Sequence, residues 1–146
     1  MRCETAKPSR LRRSRHLRSH LAARDNRCES LPAHPAITAV TLAELSLGPL
    51  VATSDSERAA RLAHLQQAEA DFEPIPFDAD AARAFGRVAA ALRLAGHKRR
   101  ARAFDAMIAA TAVANHLPVY TCNPADFAGV EGLEVIPIRL AEGRCR

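Results

Sequence analysis

Three carboxylates occupy positions in the sequence where a parallel sheet would place ligands. Glu44 and Asp105 are each expected in the first turn of a helix, the first of which follows an apolar strand. Asp126 lies just beyond a short apolar strand, and Asn123 lies in the same polar turn. Ligands of open α/β sheets bind beyond the carboxyl ends of the strands. The three acids are therefore expected to meet at one edge of the sheet.

Clustered carboxylates of this kind favour phosphodiester chemistry with a hard divalent cation. Mg²⁺ and Mn²⁺ take oxygen ligands, usually one or two carboxylates together with waters and substrate phosphate oxygens. The bound ion polarises a phosphoryl oxygen and makes water a better nucleophile. The sequence contains no GxSxG, HExxH or GxxxxGK[ST] motif, so these serine, zinc and nucleotide sites are not predicted.

Each acid also has a structural interpretation. Thr41 and Glu44 stand at capping-box spacing, so Glu44 is alternatively a partner of a helix start. A carboxylate such as Asp105 is favoured in a first helical turn by the helix dipole. Asp126, in a turn with a proline, is alternatively the acid of an Asx turn. Only their joint context favours a metal site.

Helices alternate with short apolar segments in the elements that must position these acids. The expected order is a strand at 36–40, helices at 41–51, from 54 and from 79 to Gly96, a helix at 103–116, and strands at 119–121 and 135–138. Ser54 and Asp78 are the predicted N-caps, and Pro137 suggests an edge strand. Helices between short apolar strands predict a three-layer α/β/α domain with a short parallel sheet.

Two of these helices show an apolar stripe with helical period. The residues expected to face the core are Ala82, Phe85, Val88, Ala89 and Leu92 in the third helix, and Met107, Ile108, Ala112 and Val113 in the fourth.

Basic residues are concentrated at the N-terminus. Residues 1–30 hold nine of the 21 Lys and Arg residues and three of the 16 acidic residues, which leaves the rest of the chain close to neutral. We expect residues 1–32 to be a basic leader and residues 33–146 to be the folded domain. Such a leader either holds phosphates electrostatically or is a solvated tail.

Several protein classes are disfavoured by composition. No apolar run approaches the length of a membrane span, and no secretory signal is visible. The four cysteines lack the paired spacing of a structural zinc site and are expected to be reduced. These features predict a cytoplasmic protein without a membrane partner.

Three segments together resemble the PIN-domain family, and in particular the VapC-type toxins of bacterial toxin–antitoxin pairs. They are residues 37–48, containing T-L-A-E-L, residues 102–112, containing D-A-M-I-A-A, and residues 120–127, containing N-P-A-D-F. Their order and spacing match the family over residues 33–138. The resemblance implies a PIN-like fold, endoribonuclease activity that depends on Mg²⁺ (or Mn²⁺), and inhibition by a VapB-type antitoxin.

The resemblance also assigns roles to individual residues. By motif, the catalytic and metal-binding acids are Glu44, Asp105 and Asp126. The substrate-binding candidates are Asn123 in the last motif and the basic loop residues Lys98, Arg99 and Arg100. The second and third helices would form a projecting arm that contacts a second copy in a homodimer and the antitoxin. Its interface candidates, for which ordinary core packing is the alternative, are Leu62, Leu65, Phe72 and Phe85.

The N-terminus departs from the family pattern. PIN proteins begin with an apolar strand that ends in a metal-binding aspartate followed by Thr or Ser, and residues 1–30 contain no such strand. Asp25, between Arg24 and Asn26, is a poor substitute. One hypothesis is an altered start or reading frame, which predicts that residues 1–30 lack packed structure. The alternative functions are a catalytically impaired PIN remnant that only binds antitoxin or dimerises, and a nucleic-acid-binding module based on the leader.

Overall fold

The computed structural model describes residues 34–95 and 103–138. In these ranges the helices are α1 (Ala39–Leu47), α2 (Asp55–Asp71), α3 (Ala79–Leu94) and α4 (Ala103–Ala114), the strands are β1 (Val119–Thr121) and β2 (Val135–Pro137), and two 3₁₀ turns span Gly48–Val51 and Pro124–Phe127. The predicted leader and the basic loop of Lys98, Arg99 and Arg100 lie outside the described residues. No helix in the described ranges is both long and apolar enough to cross a membrane.

The sheet is short and parallel, which confirms the α/β class. β1 pairs with β2 in the register Val119 to Val135, and the amide of Ile138 extends the ladder by donating to the Thr121 carbonyl at 2.9 Å. A second parallel contact joins Thr38 to Ile75. In the described residues β2 pairs only with β1, as expected for a strand that contains Pro137.

The segment before α1 differs from the prediction. Residues 36–40 are not a strand, because only Thr38 forms a bridge and the helix already begins at Ala39. The Thr38 hydroxyl accepts a hydrogen bond from the Thr41 amide at 3.1 Å and caps the helix. An N-cap of this type satisfies an amide that has no partner inside the helix. The helix also ends earlier than predicted, at Leu47, and continues as the Gly48–Val51 turn.

The start of α2 confirms Ser54 as its N-cap. The Ser54 hydroxyl accepts from the Glu57 amide at 3.2 Å, but the Glu57 carboxylate bonds to Thr53 rather than back to Ser54. Arg61 donates to the Gly48 carbonyl at 2.9 Å and pairs with Glu57, which ties α2 to the turn after α1. This network fixes the position of the turn that ends α1.

The core lies between α3 and α4 and is built largely from alanine. Its buried residues are Ala84, Val88, Leu92, Ala106, Ala109, Ala110, Phe127 and Val130. Asp78 caps α3 as predicted, through hydrogen bonds at 3.0 Å from the Asp80 and Ala81 amides. The predicted stripe of α3 was wrong at Ala82, which is exposed, because Ala81 and Ala84 face the core instead.

In α4 the deepest positions also differ from the prediction. Met107, Ile108 and Val113 are only half-buried, whereas Ala109 and Ala110 are fully buried. The sequence of α4 is apolar on nearly every face, so its periodicity does not identify the buried one. Alanine at the contact lets two helices approach closely, and the larger side chains then lie at its margins.

A Schellman motif ends α4 and turns the chain back along it. The Leu117 amide donates to the Ala112 carbonyl at 2.9 Å, and the His116 amide donates to the Val113 carbonyl at 3.2 Å. His116 takes the left-handed conformation of the motif, with φ of 54°. After this reversal and β1, the Pro124–Phe127 turn packs against α4, and its Phe127 shares a buried cluster with Ala106 of the first turn of α4.

Candidate active site

Glu44 and Asp105 form a pair of like charges between α1 and α4. The two helices pack against each other. Partial burial raises the pKa of Glu44 above its ordinary value, and the nearby negative charge of Asp105 raises that pKa further. Both effects disfavour the ionised form of a carboxyl group. The structure therefore brings together two of the three acids that the sequence singles out.

Glu44 has no structural role as a capping residue. Thr38 caps α1, so Thr41 lies within the helix and Glu44 lies in its second turn rather than its first. The capping-box interpretation of Thr41 and Glu44 is wrong. Within the described parts of the chain no hydrogen bond or ion pair involves the Glu44 carboxylate. Its electrostatic neighbour is another acid.

Asp105 lies in the first turn of α4 and is half-buried. The positive end of the helix dipole favours a carboxylate at this position. Its neighbour Ala106 is buried in the core, which fixes the first turn of the helix against α3. A negative charge held in a fixed place is what a cation site requires.

Asp126 lies in the Pro124–Phe127 turn, which packs against α4. The Asp126 amide donates to the Asn123 carbonyl at 3.0 Å, and the Asn123 amide donates to the Thr121 hydroxyl at 3.0 Å. Phe127 is buried in the same cluster as Ala106, so the residues next to Asp126 and Asp105 share one core. Asn123 is exposed and Asp126 is half-buried.

The expected three-acid cluster is not found in the described residues. Residues 34–95 and 103–138 contain no group of three or more His, Cys, Asp or Glu side chains arranged to hold a metal ion. α1, which carries Glu44, and the Pro124–Phe127 turn, which carries Asp126, each pack against α4. The buried Phe127 fixes the position of the turn. The sequence places the acids at neighbouring element ends without setting the distances between them.

The Glu44 and Asp105 pair nevertheless fits a divalent cation. A hard ion such as Mg²⁺ commonly uses one or two protein carboxylates and completes its coordination with water and phosphate oxygens. Two like charges held together by the packing of separate helices repel each other, and a bound cation removes this repulsion. Partial burial is the main cause of the raised pKa of Glu44, and the repulsion from Asp105 raises that pKa further.

The described part of the chain includes one cysteine, Cys122, which follows β1. It is disulfide-bonded, so the expectation of reduced cysteines is wrong at this position. Cys3, Cys28 and Cys145 lie outside the described residues.

Several exposed apolar side chains were not identified from the sequence. Phe104, next to Asp105, is 47% exposed. Leu47, Leu50 and Val51 are exposed at the end of α1 and in the turn that follows it. Periodicity assigned this turn to a helix, so the outward direction of its side chains could not be inferred. For Phe104 the only available signal was its position directly before the D-A-M-I-A-A motif.

The interface candidates divide between surface and core. Leu62 is exposed, and Leu65 and Phe72 are half-buried. Phe85 packs edge-to-face on Phe77, with ring centroids 6.2 Å apart, and both rings lie against the core cluster. Core packing, the alternative interpretation, therefore applies to Phe85.

Comparison with known proteins identifies relatives over most of the chain. Residues 12–133 match the family described as PIN domain. Ribonuclease VapC5 of Mycobacterium tuberculosis is 44% identical over 108 residues, which are 74% of this chain and 77% of the relative. Ribonuclease VapC4 of the same organism is 38% identical over 102 residues, or 70% of this chain and 75% of the relative.

Solved structures give the same assignment. The VapBC-5 toxin–antitoxin structure from M. tuberculosis matches with a TM-score of 0.61 and 41% identity, covering 70% of this chain and 80% of that one. A DNA-bound VapBC structure from Salmonella typhimurium matches with a TM-score of 0.58 and 26% identity over 70% and 74% of the two chains. The PIN-like fold is thereby confirmed. The chain belongs to the PIN-domain family and, within it, to the VapC-type proteins.

Proposed function

We propose that this protein is an endoribonuclease toxin of the VapC type whose activity depends on Mg²⁺ or Mn²⁺. The observation that carries the proposal is the electrostatic pair of Glu44 and Asp105 between α1 and α4. The names of the two M. tuberculosis relatives, both ribonucleases, support RNA as the substrate. We expect the protein to act in the cytoplasm.

In this proposal Glu44 and Asp105 hold the metal ion, and Asp126 and Asn123 act from the neighbouring turn. The ion, when bound, supplies an activated water and neutralises charge on the phosphate. Asp105 is positioned by the first turn of α4, and Glu44 by the capped helix α1. Asp126 and Asn123 face the substrate and orient its phosphate and the attacking water.

The protonation state of Glu44 also determines the pH range in which the site binds its metal. Protonated Glu44 is a poor ligand, and its raised pKa means that some protonation persists closer to neutrality than for an ordinary glutamate. Cleavage is therefore expected to fall on the acidic side as Glu44 becomes protonated. Lys98, Arg99 and Arg100 are proposed to attract RNA through their charge.

We further propose that a VapB-type antitoxin is the protein partner and that the toxin forms a homodimer. The antitoxin would cover the exposed apolar side chains of the α1 end, of which Leu50 is 80% exposed. Leu62 on α2 lies in the helix that packs against this turn and is 43% exposed. Exposed apolar side chains that form one continuous patch are typical of an interaction surface.

The proposal is tested by incubating purified protein with RNA in Mg²⁺, Mn²⁺ or EDTA. Asp105→Asn is expected to lower the cleavage rate by about a hundredfold or more, the range found when one electrostatic group that stabilises a transition state is removed. Asp80→Asn is the matched control, because Asp80 also lies in the first turn of a helix and is exposed in an ion pair with Arg83. Cleavage that survives EDTA, or that Asp105→Asn and Asp80→Asn leave equally intact, refutes the proposed site.

A further inference from the structure

Phe104 stands apart from the other aromatic residues of the chain. The sequence contains five Phe, one Tyr and no Trp. All six aromatic side chains lie in the described ranges, and Phe104 alone among them is exposed, at 47%. Phe127 is buried, while Phe77 and Phe85 pack against the core. Among the described residues, no such packing against the core cluster is found for Phe104.

The position of Phe104 distinguishes it from an incidental surface residue. Single exposed apolar side chains are common on proteins and usually need no explanation. This one directly precedes Asp105 in the first turn of α4. Neighbouring Cα atoms are about 3.8 Å apart, so the two side chains leave adjacent positions of the same helical turn, although they do not face each other.

The direction of helical side chains strengthens this placement. Side chains of an α-helix lean toward its N-terminus. Phe104 and Asp105 therefore both extend toward the end of the domain where α4 begins and where the Pro124–Phe127 turn follows β1. A phosphate bound at Asp105 would place the adjoining nucleotides near an exposed aromatic ring.

We propose that Phe104 stacks on a nucleobase next to the scissile phosphate and so holds single-stranded RNA in register with the metal site. This inference rests on the proposed ribonuclease function. Single-stranded RNA exposes unstacked bases that bind aromatic side chains. Stacking of one base on one ring corresponds to about a five- to hundredfold change in affinity. Because every base has an aromatic face, this contact orients the strand with little preference for sequence.

The test measures cleavage and binding for Phe104→Ala, Phe104→Leu and Phe104→Tyr. Phe104→Ala is expected to raise KM by about five- to a hundredfold with a smaller change in kcat. Tyr is expected to restore KM, because it keeps the aromatic face, and Leu is not. Leu117→Ala is the matched control, since Leu117 follows the other end of α4 and is 41% exposed. Its KM should equal that of the wild type.

A binding assay separates this inference from the failure of the proposed function. A short single-stranded RNA carrying 2-aminopurine is titrated with each variant in EDTA, where stacking quenches its fluorescence. Quenching by wild type and Phe104→Tyr but not by Phe104→Ala supports the inference, even if no cleavage is found in Mg²⁺.

Two other results overturn the stacking role. Absence of quenching by the wild type, or equal behaviour of the Leu and Tyr variants, excludes a stacked base. Unchanged RNA binding by Phe104→Ala together with lost antitoxin binding would show that Phe104 belongs to a protein interface.

Discussion

Glu44→Gln is expected to stabilise the metal-free protein at neutral pH, although it removes a proposed metal ligand. The Glu44 carboxylate is partly desolvated and is repelled by Asp105, and both effects raise its pKa. A glutamine has almost the same shape and no charge. The substitution therefore removes an unfavourable interaction and keeps the packing of α1 against α4.

The gain is small because Glu44 is exposed to solvent on one side. Interactions between exposed charges are typically worth about 0.2 to 1 kcal/mol, so we expect the free energy of unfolding to rise by about 0.5 kcal/mol. For a domain of this size that corresponds to roughly 2 °C in Tm. Thermal and urea unfolding in EDTA at low ionic strength measure this change.

The pH dependence has a definite sign. The folded-state pKa of Glu44 lies above its unfolded-state value, so the ionised group costs stability at neutral pH and this cost disappears as pH falls through the folded-state pKa. The advantage of Glu44→Gln should therefore be present at neutral pH and be lost on acidification.

Glu57→Gln is the control with the opposite sign. Hydrogen bonds from the Thr53 amide and hydroxyl lower the pKa of Glu57, and Arg61 lowers it further. Glu57 therefore stabilises the folded state at neutral pH, and this contribution is lost as pH falls through its folded-state pKa. Its substitution should destabilise the protein at neutral pH and have no effect in acid.

Metal addition completes the experiment. Mn²⁺ or Mg²⁺ should raise the Tm of the wild type and of Glu57→Gln, and should raise that of Glu44→Gln much less. A metal-free Glu44→Gln protein that is less stable than the wild type at neutral pH refutes the repulsion between Glu44 and Asp105. An unchanged metal response refutes Glu44 as a ligand.

Three further substitutions test the local structure by urea unfolding. His116→Gly should stabilise the protein by about 1 kcal/mol, because it relieves the left-handed backbone at the end of α4; no gain would contradict the Schellman geometry. Gly132→Ala should cost about 1 kcal/mol, because φ is +78° although the added methyl group meets no atom within 4 Å; a neutral effect would show that the turn relaxes. Asp78→Ala should lower the free energy of unfolding by about 1 kcal/mol through loss of the α3 cap. Asp78→Asn should retain most of the stability that the cap contributes.

Elements with a strong local signal could be predicted from the sequence. β1 and the N-caps Ser54 and Asp78 occur where composition and spacing place them. Each depends on chemistry within a few residues, such as a hydroxyl or carboxylate that accepts from a nearby amide. Thr38 is a cap of the same kind, but its β-branched and apolar neighbours are also typical of a strand. In the structure Thr38 caps a helix that begins at Ala39.

The same sequence patterns do not give the distances between residues on separate helices and turns. The prediction that Glu44, Asp105 and Asp126 share one ion treated the element ends as points on one sheet edge. In the structure the helix with Glu44 and the turn with Asp126 each pack against α4, and the buried Phe127 anchors the turn. Residue spacing made the acids candidates, but their relative positions depend on how α1 and the turn pack against α4, which residue spacing does not give.

The energetic balance at Glu44 and Asp105 explains why a fold would retain a repulsive pair. When the site is empty the repulsion costs about 0.5 kcal/mol, as for other exposed charge pairs. A cation at a hundred times its Kd would stabilise the folded state by about 2.7 kcal/mol, several times more than that cost. The ion would bind at the contact between α1 and α4, so the packing of these two helices would be most stable when the metal is bound. Replacing either acid by its amide should therefore reduce the difference in stability between the metal-bound and metal-free protein, whereas Asp80→Asn should leave that difference unchanged.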